Sequence, residues 1–240
     1  MLAPRLRRAL TFLRRTPLHP QWLLGRPHAA EELLRSHAQG VVLDVGCSDR
    51  WVQKALSDEC RYVGIDYPTT GRDLYRSSPD IFCDAAKLPI SDGSIDTVTI
   101  LDVLEHIAEP QKALAEMGRV LKPGGRLILT MPFLYPIHDE PHDYQRYTSA
   151  GLAREIRAAG LRMESISPSR GSAETAGLVC CLALAGMALQ AIRSRRFGMF
   201  AVPLALAAIP VTNLLAASFS ALLPSWGSVT SGYMVVASKT

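Results

Sequence analysis

Between residues 132 and 147 the chain reads Pro-Phe-Leu-Tyr-Pro-Ile-His-Asp-Glu-Pro-His-Asp-Tyr-Gln-Arg-Tyr, which crowds His138, Asp139, Glu140, His142, Asp143, Tyr144, Arg146 and Tyr147 into one stretch. An imidazole titrates near neutrality, so His138 or His142 can take a proton from an incoming nucleophile. Asp139 or Asp143 can orient the ring. The same residues admit a plainer reading, in which Asp143, Arg146 and the two tyrosines brace the loop, and Arg146 and Tyr147 are assigned to bracing. A His138-x3-His142 pair with Asp139 or Asp143 would suit a metal ion on a helix. Pro136 and Pro141 argue against a helix here, and no metal is expected.

A second set of acids lies upstream. Asp44-Val45-Gly46-Cys47-Ser48 closes one apolar run, and Asp66 closes another, 22 residues beyond Asp44. Gly46 lets the backbone approach a ligand as a strand turns into a helix, or serves simply as a turn residue. A carboxylate at Asp66 can accept two hydrogen bonds from a ribose diol, or lie on the surface. Dinucleotide binding wants G-x-G-x-x-G to aim amides at a pyrophosphate. Here the run is G-C-S-D-R-W. Asp44 and Asp49 would repel a pyrophosphate but suit a ligand carrying an ammonium and a sulfonium. The residues therefore favour an adenosyl amino acid over a nicotinamide cofactor.

These side chains must be held by strands that alternate with helices. VVLDV (41–45), RYVGID (61–66), DIFCDA (80–85), IDTVTIL (95–101), RLILTM (126–131), LRMESIS (161–167) and GYMVVAS (232–238) read as seven strands. Helices are expected at 50–57, about 110–121 and about 149–159. Continuous Val/Ile/Leu strands separated by helices indicate an α/β fold, a parallel sheet with helices on both faces. In such sheets ligands sit beyond the carboxyl ends of the strands, where the 132–147 loop must lie.

LDVGCSDR, YVGIDYP, FCDAAKLPISDGSIDTVTILDVLEHIAEP and RVLKPGGRLILTMPF occur in order and with suitable spacing. Together they resemble the class I S-adenosylmethionine-dependent methyltransferases, especially the small-molecule type related to ubiquinone and menaquinone biosynthesis. The resemblance covers roughly residues 38–168 and the last strand, and implies a seven-stranded Rossmann-like methyltransferase sheet. It implies that the loop at Asp44, Gly46, Cys47 and Ser48 holds the methionine part of S-adenosyl-L-methionine. Asp66 would bind the ribose hydroxyls, and Asp84 with the backbone of Ala85 would contact the adenine. The segment from Leu101 and Asp102 to His106 would line the sulfonium side. The 132–147 stretch resembles a PFLYPIHDEPHDYYRYT-like segment of a subgroup, and by the chemistry of their side chains His138, His142 and Asp143 are its candidate catalytic residues. The family commonly has further glycines where this chain has Ser48 and Arg50. That departure motivates a rival reading, a catalytically weak, membrane-associated cofactor-binding partner in envelope or quinone biosynthesis.

The chain of 240 residues carries a formal net charge of +4 and is 48% hydrophobic, which excludes disorder. The charge is uneven: six arginines and no acid up to residue 30, 21 acids against 16 bases over 31–170, and four bases with one acid thereafter. Acidity in the middle argues against a nucleic-acid partner. Five cysteines without a CxxC pair fit a reducing cytoplasm. Four segments are expected: a basic amphipathic stretch (1–37), the cofactor-binding core (38–170), an apolar helical insert (171–228) and a closing strand (229–240). Leu6, Leu10 and Leu13 can share one helical face, suited either to an anionic membrane or to capping the domain. The insert is read as a monotopic hairpin or lipid-facing cap, with a helical cap over the active site or a dimer contact as alternatives. A spanning hairpin ranks last, because it would carry the arginines of 193–196 across the membrane. The expected enzyme thus methylates a small or lipid-linked acceptor, at oxygen, from the cytoplasmic side.

Overall fold

A computed structural model describes residues 13–25, 29–72, 77–194 and 197–240. Residues 1–12 and 26–28 of the basic amphipathic segment, with Leu6 and Leu10, lie outside the described residues, as do Arg195 and Arg196. The chain divides into two compact units, one of residues 29–133, 137–169 and 232–240, the other of 1–28, 134–136 and 170–231.

The first unit is built on seven strands: β1 (Val41–Val45), β2 (Arg61–Asp66), β3 (Ile81–Phe82), β4 (Ile95–Leu101), β5 (Leu121–Pro132), β6 (Leu161–Pro168) and β7 (Gly232–Lys239). Their order is β3-β2-β1-β4-β5-β7-β6. Strands β1 to β5 pair in parallel, whereas β7 runs antiparallel to both β5 and β6. The sheet is therefore mixed, where the apolar runs suggested a parallel one. A strand buried on both faces shows the same run of Val and Ala whichever way it points, so its direction is invisible in the pattern.

Helices α1 (Ala29–His37), α2 (Trp51–Ala55), α3 (Pro110–Val120) and α4 (Ser149–Ala158) belong to this unit. Helix α3 starts with Pro110 at a position that needs no N–H, and buries Ala113, Leu114, Met117 and Val120 along one stripe. Those side chains join Leu43, Val98, Ile100, Leu127, Leu129 and Val235 in the larger core. Ile128 points the other way and packs with Leu34 of α1 and Val52 of α2. Thr148 caps α4 by accepting a hydrogen bond from Gly151 N at 3.1 Å. The chain leaves β1 toward β2 on one side, and β4 flanks β1 on the other, so the loops after β1 and β4 part and open a crevice.

The second unit pairs two long helices, α5 (Ser172–Ser194) and α6 (Val202–Leu222). Both are long and apolar enough to cross a membrane, with mean hydropathy 1.9, and little of either is buried. Their contact is close at Gly177, where a Cβ would lie 2.4 Å from that of Ala216. Asn213 is fully buried in α6, yet its amide is satisfied. Nδ2 donates to the carbonyls of Pro17 (2.7 Å) and His19 (3.0 Å), and Oδ1 accepts from the Cys181 thiol. The asparagine that interrupts the apolar run thus anchors the chain near residue 18. Outward, α6 exposes Leu204, Val211, Leu214, Leu215 and Phe219.

Candidate active site

A cavity of about 390 Å³ opens at the carboxyl ends of the strands of the first unit. Its floor is the turn after β1. Gly46 has φ +77°, and a Cβ there would meet Val103 Cγ2 at 2.5 Å, so glycine is required by backbone shape and by its neighbour. Gly46 N and Cys47 N both donate to Ile65 O, and Ser48 N donates to Asp66 Oδ2 at 3.2 Å. Ser48 and Arg50 have φ of +43° and +60°. They keep the left-handed conformation that glycine would adopt freely, at a cost of about 1 kcal/mol each. Asp102 and Asp139 share that conformation, in the loops after β4 and β5. Among the described residues, left-handed non-glycine backbone is confined to this end of the sheet, as functional loops commonly show.

A network holds the turn in place. The Arg50 guanidinium forms two bonds to Asp80, each 3.1 Å, and lies 4.8 Å from the centre of the Tyr62 ring. Tyr62 OH donates to Asp44 Oδ2 (2.7 Å) and Thr99 Oγ1 to Asp44 Oδ1 (2.8 Å). Burial pushes the Asp44 carboxyl up to about 6, against the pull of those two hydroxyls. Burial also pushes the Cys47 thiol up to about 12, which leaves it protonated and unreactive.

Of the residues singled out in the sequence, Gly46, Ser48, Asp49, Asp66, Asp84, Ala85, Leu101, Asp102, His106, Asp139, His142 and Tyr144 line the cavity. The side chains of Asp44 and Cys47 do not; they lie in the core beneath the turn, so their part is support. His138 and Asp143 also stand back from the cavity wall. Asp143 is clamped by Arg146, with Nη2 donating to Oδ2 at 2.8 Å and Nη1 to Oδ1, and it accepts from His138 N at 2.9 Å. The Arg146 guanidinium holds its carboxyl down at about 2. Asp143 therefore braces the loop and faces His138, not His142. His142 Nδ1 lies 3.2 Å from Tyr144 OH, and its carbonyl accepts from His106 Nδ1 at 2.9 Å.

Sequence reasoning missed Glu105. It is fully buried, neither carboxylate oxygen receives a hydrogen bond from another residue, and burial together with the nearby Asp102 charge pushes it up to about 8. The only local signal was a carboxylate following the apolar pair Val103-Leu104 in the LDVLEHI run.

The cavity's charge decides what it can hold. Asp49, Asp66, Asp84, Asp102, Glu109 and Asp139 line it, and among the described residues no lysine or arginine does. A pyrophosphate would find six carboxylates and no cation. An adenosyl amino acid with an ammonium and a sulfonium fits this lining, and the volume lies within the range of small-molecule sites. Asp66 keeps lone pairs for a ribose diol, since its oxygens accept only from Ser48 N and Tyr67 N among the bonds described.

Fold and site together define a class I methyltransferase domain that uses S-adenosylmethionine. Residues 43–129 match the family model described as a methyltransferase domain. The ubiquinone/menaquinone biosynthesis C-methyltransferase UbiE of Burkholderia mallei is 46% identical over 102 residues, which cover 38% of this chain and 42% of that protein. An uncharacterized 37.1 kDa protein in transposon TN4556 of Streptomyces fradiae is 34% identical over 129 residues, 47% of this chain and 37% of that one. The matches thus span about two fifths of the length of these curated relatives. Among solved structures, the [4+2]-cyclase SpnF superposes with a TM-score of 0.55 at 19% identity, over 87% of this chain and 79% of that one. That likeness shows the fold alone. The chain carries a class I S-adenosylmethionine-dependent methyltransferase domain related to that of UbiE.

Proposed function

We propose that the whole chain is an active methyltransferase that modifies an oxygen atom of a small or lipid-linked acceptor. The observation that carries this reading is the carboxylate-lined cavity with an imidazole, His142, on its wall. When bound, S-adenosylmethionine supplies an electrophilic methyl group on a sulfonium. Asp66 would hold the ribose hydroxyls, Asp84 and Ala85 the adenine, and the turn at Gly46 and Ser48 the methionine part. His142 stands at the cavity with Nδ1 near Tyr144 OH, so Nε2 is available to take the proton of the acceptor hydroxyl. His106 shares the wall, but its Nδ1 is engaged by the His142 carbonyl and burial lowers its affinity for a proton.

The rival reading of a catalytically weak partner rested on Ser48 and Arg50. Both residues keep the backbone shape that glycine would give, which removes its main support. The choice of oxygen rests on the imidazole at the cavity wall. The name of UbiE, a C-methyltransferase of ubiquinone/menaquinone biosynthesis, supports a quinone-related acceptor. The outward apolar faces of α5 and α6 favour one presented at the inner face of a membrane, with the protein attached peripherally.

The test is release of S-adenosylhomocysteine by the full chain with a set of quinols, phenols and isoprenoid-linked phenols. His142→Ala should lower kcat by roughly 100-fold or more while leaving the affinity for the methyl donor unchanged. Turnover with no member of the set, or an unaltered kcat in His142→Ala, would overturn the assignment.

A further inference from the structure

We infer that Glu105, His106 and His138 form a binding site for a divalent first-row transition-metal ion. Glu105 and His106 belong to the single turn Leu104–His106 after β4, and His138 comes from the loop after β5. Nε2 of His106 lies 3.7 Å from Glu105 Oε1, and Nε2 of His138 lies 3.9 Å from the same oxygen. One ligand atom from each residue falls within 4.8 Å of the other two, and the imidazoles meet edge to face at 79°.

The hydrogen-bond pattern asks for a cation at this point. The Glu105 side chain is fully buried, and neither of its oxygens accepts a hydrogen bond from another residue. A charged carboxylate in such a place costs several kcal/mol, which either a proton or a bound cation relieves. Each imidazole has its other nitrogen beside an acceptor. His106 Nδ1 lies 2.9 Å from the His142 carbonyl, and His138 Nδ1 lies 3.3 Å from Asp143 Oδ2. Arg146 Nη2, which can only donate, also lies 3.5 Å from His138 Nδ1; a metal ion at Nε2 would place the His138 proton on Nδ1, toward the nearer Asp143 Oδ2. With both protons on Nδ1, the Nε2 lone pairs and the Glu105 oxygens converge as acceptors. A carbonyl or carboxylate behind each imidazole is the arrangement that orients metal-binding histidines.

The donor set selects the class of ion. Two imidazoles and one carboxylate suit zinc, iron(II) or cobalt(II), whereas magnesium and calcium prefer oxygen throughout. Tetrahedral ligation by these atoms separates neighbours by about 3.3 Å. Small rotations of the two rings toward Glu105 would close the present spacing. The ion would tie the 137–147 loop to the turn after β4. That junction already carries bonds from Tyr144 N to Glu105 O (2.9 Å) and from Gln145 Nε2 to the carbonyls of Leu104 (2.6 Å) and Ile107 (3.0 Å). The inference does not depend on the proposed reaction.

The test uses the full chain, stripped with a chelator and titrated with zinc chloride by calorimetry and with cobalt chloride by visible absorption. One saturable equivalent is expected, with intense cobalt d–d bands of low coordination number and a raised melting temperature. His138→Gln and Glu105→Gln should each weaken zinc by about 100-fold or more. The same samples are titrated with S-adenosylmethionine, so that a failed metal site and a failed cofactor site read differently. Should Glu105→Gln not fold, the partly exposed His138 gives the deciding variant. Absence of a saturable equivalent, or equal zinc affinity in wild type and His138→Gln, would overturn the inference and leave a proton shared between Glu105 and an imidazole as the explanation.

Discussion

Asp44 and Asp66 end adjacent parallel strands and were given the same kind of role by their positions, yet their surroundings separate them. Asp66 faces the cavity, while Asp44 is sealed between Tyr62 and Thr99. Its carboxyl titrates near 6 in the folded chain and near 3.8 when unfolded, so the folded state holds the extra proton between those values. The sign follows: the contribution is fully present below pH 4 and fades as pH rises through 6, by an amount on the order of 3 kcal/mol. Urea denaturation from pH 4 to pH 7 should show wild-type stability falling relative to Asp44→Asn, and parallel curves would refute this. Arg50 offers a second residue-scale prediction. Its left-handed backbone costs energy while its side chain ties the turn to Asp80. Arg50→Ala loses the tie and keeps the strain; Arg50→Gly loses both. The glycine variant should therefore be more stable than the alanine one by about 1 kcal/mol, measured by chemical denaturation. The acids and glycine of the cofactor turn were legible because their chemistry is local. Which of them face the ligand was not, since successive strand residues point to opposite sides and the neighbours that claim them, Tyr62 and Thr99, come from other strands. Glu105 was illegible for the same reason: its isolation is made by His106 and by His138, 33 residues away.

At the scale of elements, strands and helices were legible wherever an apolar run had a clear period and a turn signal beside it, as at VVLDV and around Pro110. Direction was not. Strand β7 enters between β5 and β6 and runs against both. The pair of α5 and α6 is held by close approach at Gly177. Gly177→Ala should push α5 from α6 and destabilise the second unit by about 1–3 kcal/mol. Limited proteolysis should then cut within 172–222 while the affinity for the methyl donor stays unchanged; unaltered protection would contradict the tight contact. Asn213 interrupts an otherwise apolar stretch of the sequence. Buried and bonded to Pro17 O and His19 O, it is a tether whose partners lie nearly 200 residues upstream.

For the whole molecule, the uneven charge has a structural counterpart. The acidic middle supplies the carboxylates of the cavity, and the uncharged stretch after residue 196 supplies α6 with its outward leucines and Phe219. Membrane attachment is testable by flotation with anionic liposomes, comparing the full chain with one in which residue 170 is joined to 229 by a short linker. The ends permit it, since Arg170 N lies 3.5 Å from Thr230 Oγ1. The full chain should float and the shortened one should not; equal behaviour would dismiss the membrane. The cofactor site stands on a more direct measurement, calorimetric titration of the full chain and of Asp66→Ala with S-adenosylmethionine and, separately, with NAD. One saturable site for S-adenosylmethionine, weakened about tenfold or more in Asp66→Ala, with no binding of NAD, is the expected result. Unchanged affinity in Asp66→Ala, or binding of NAD in place of the methyl donor, would contradict it.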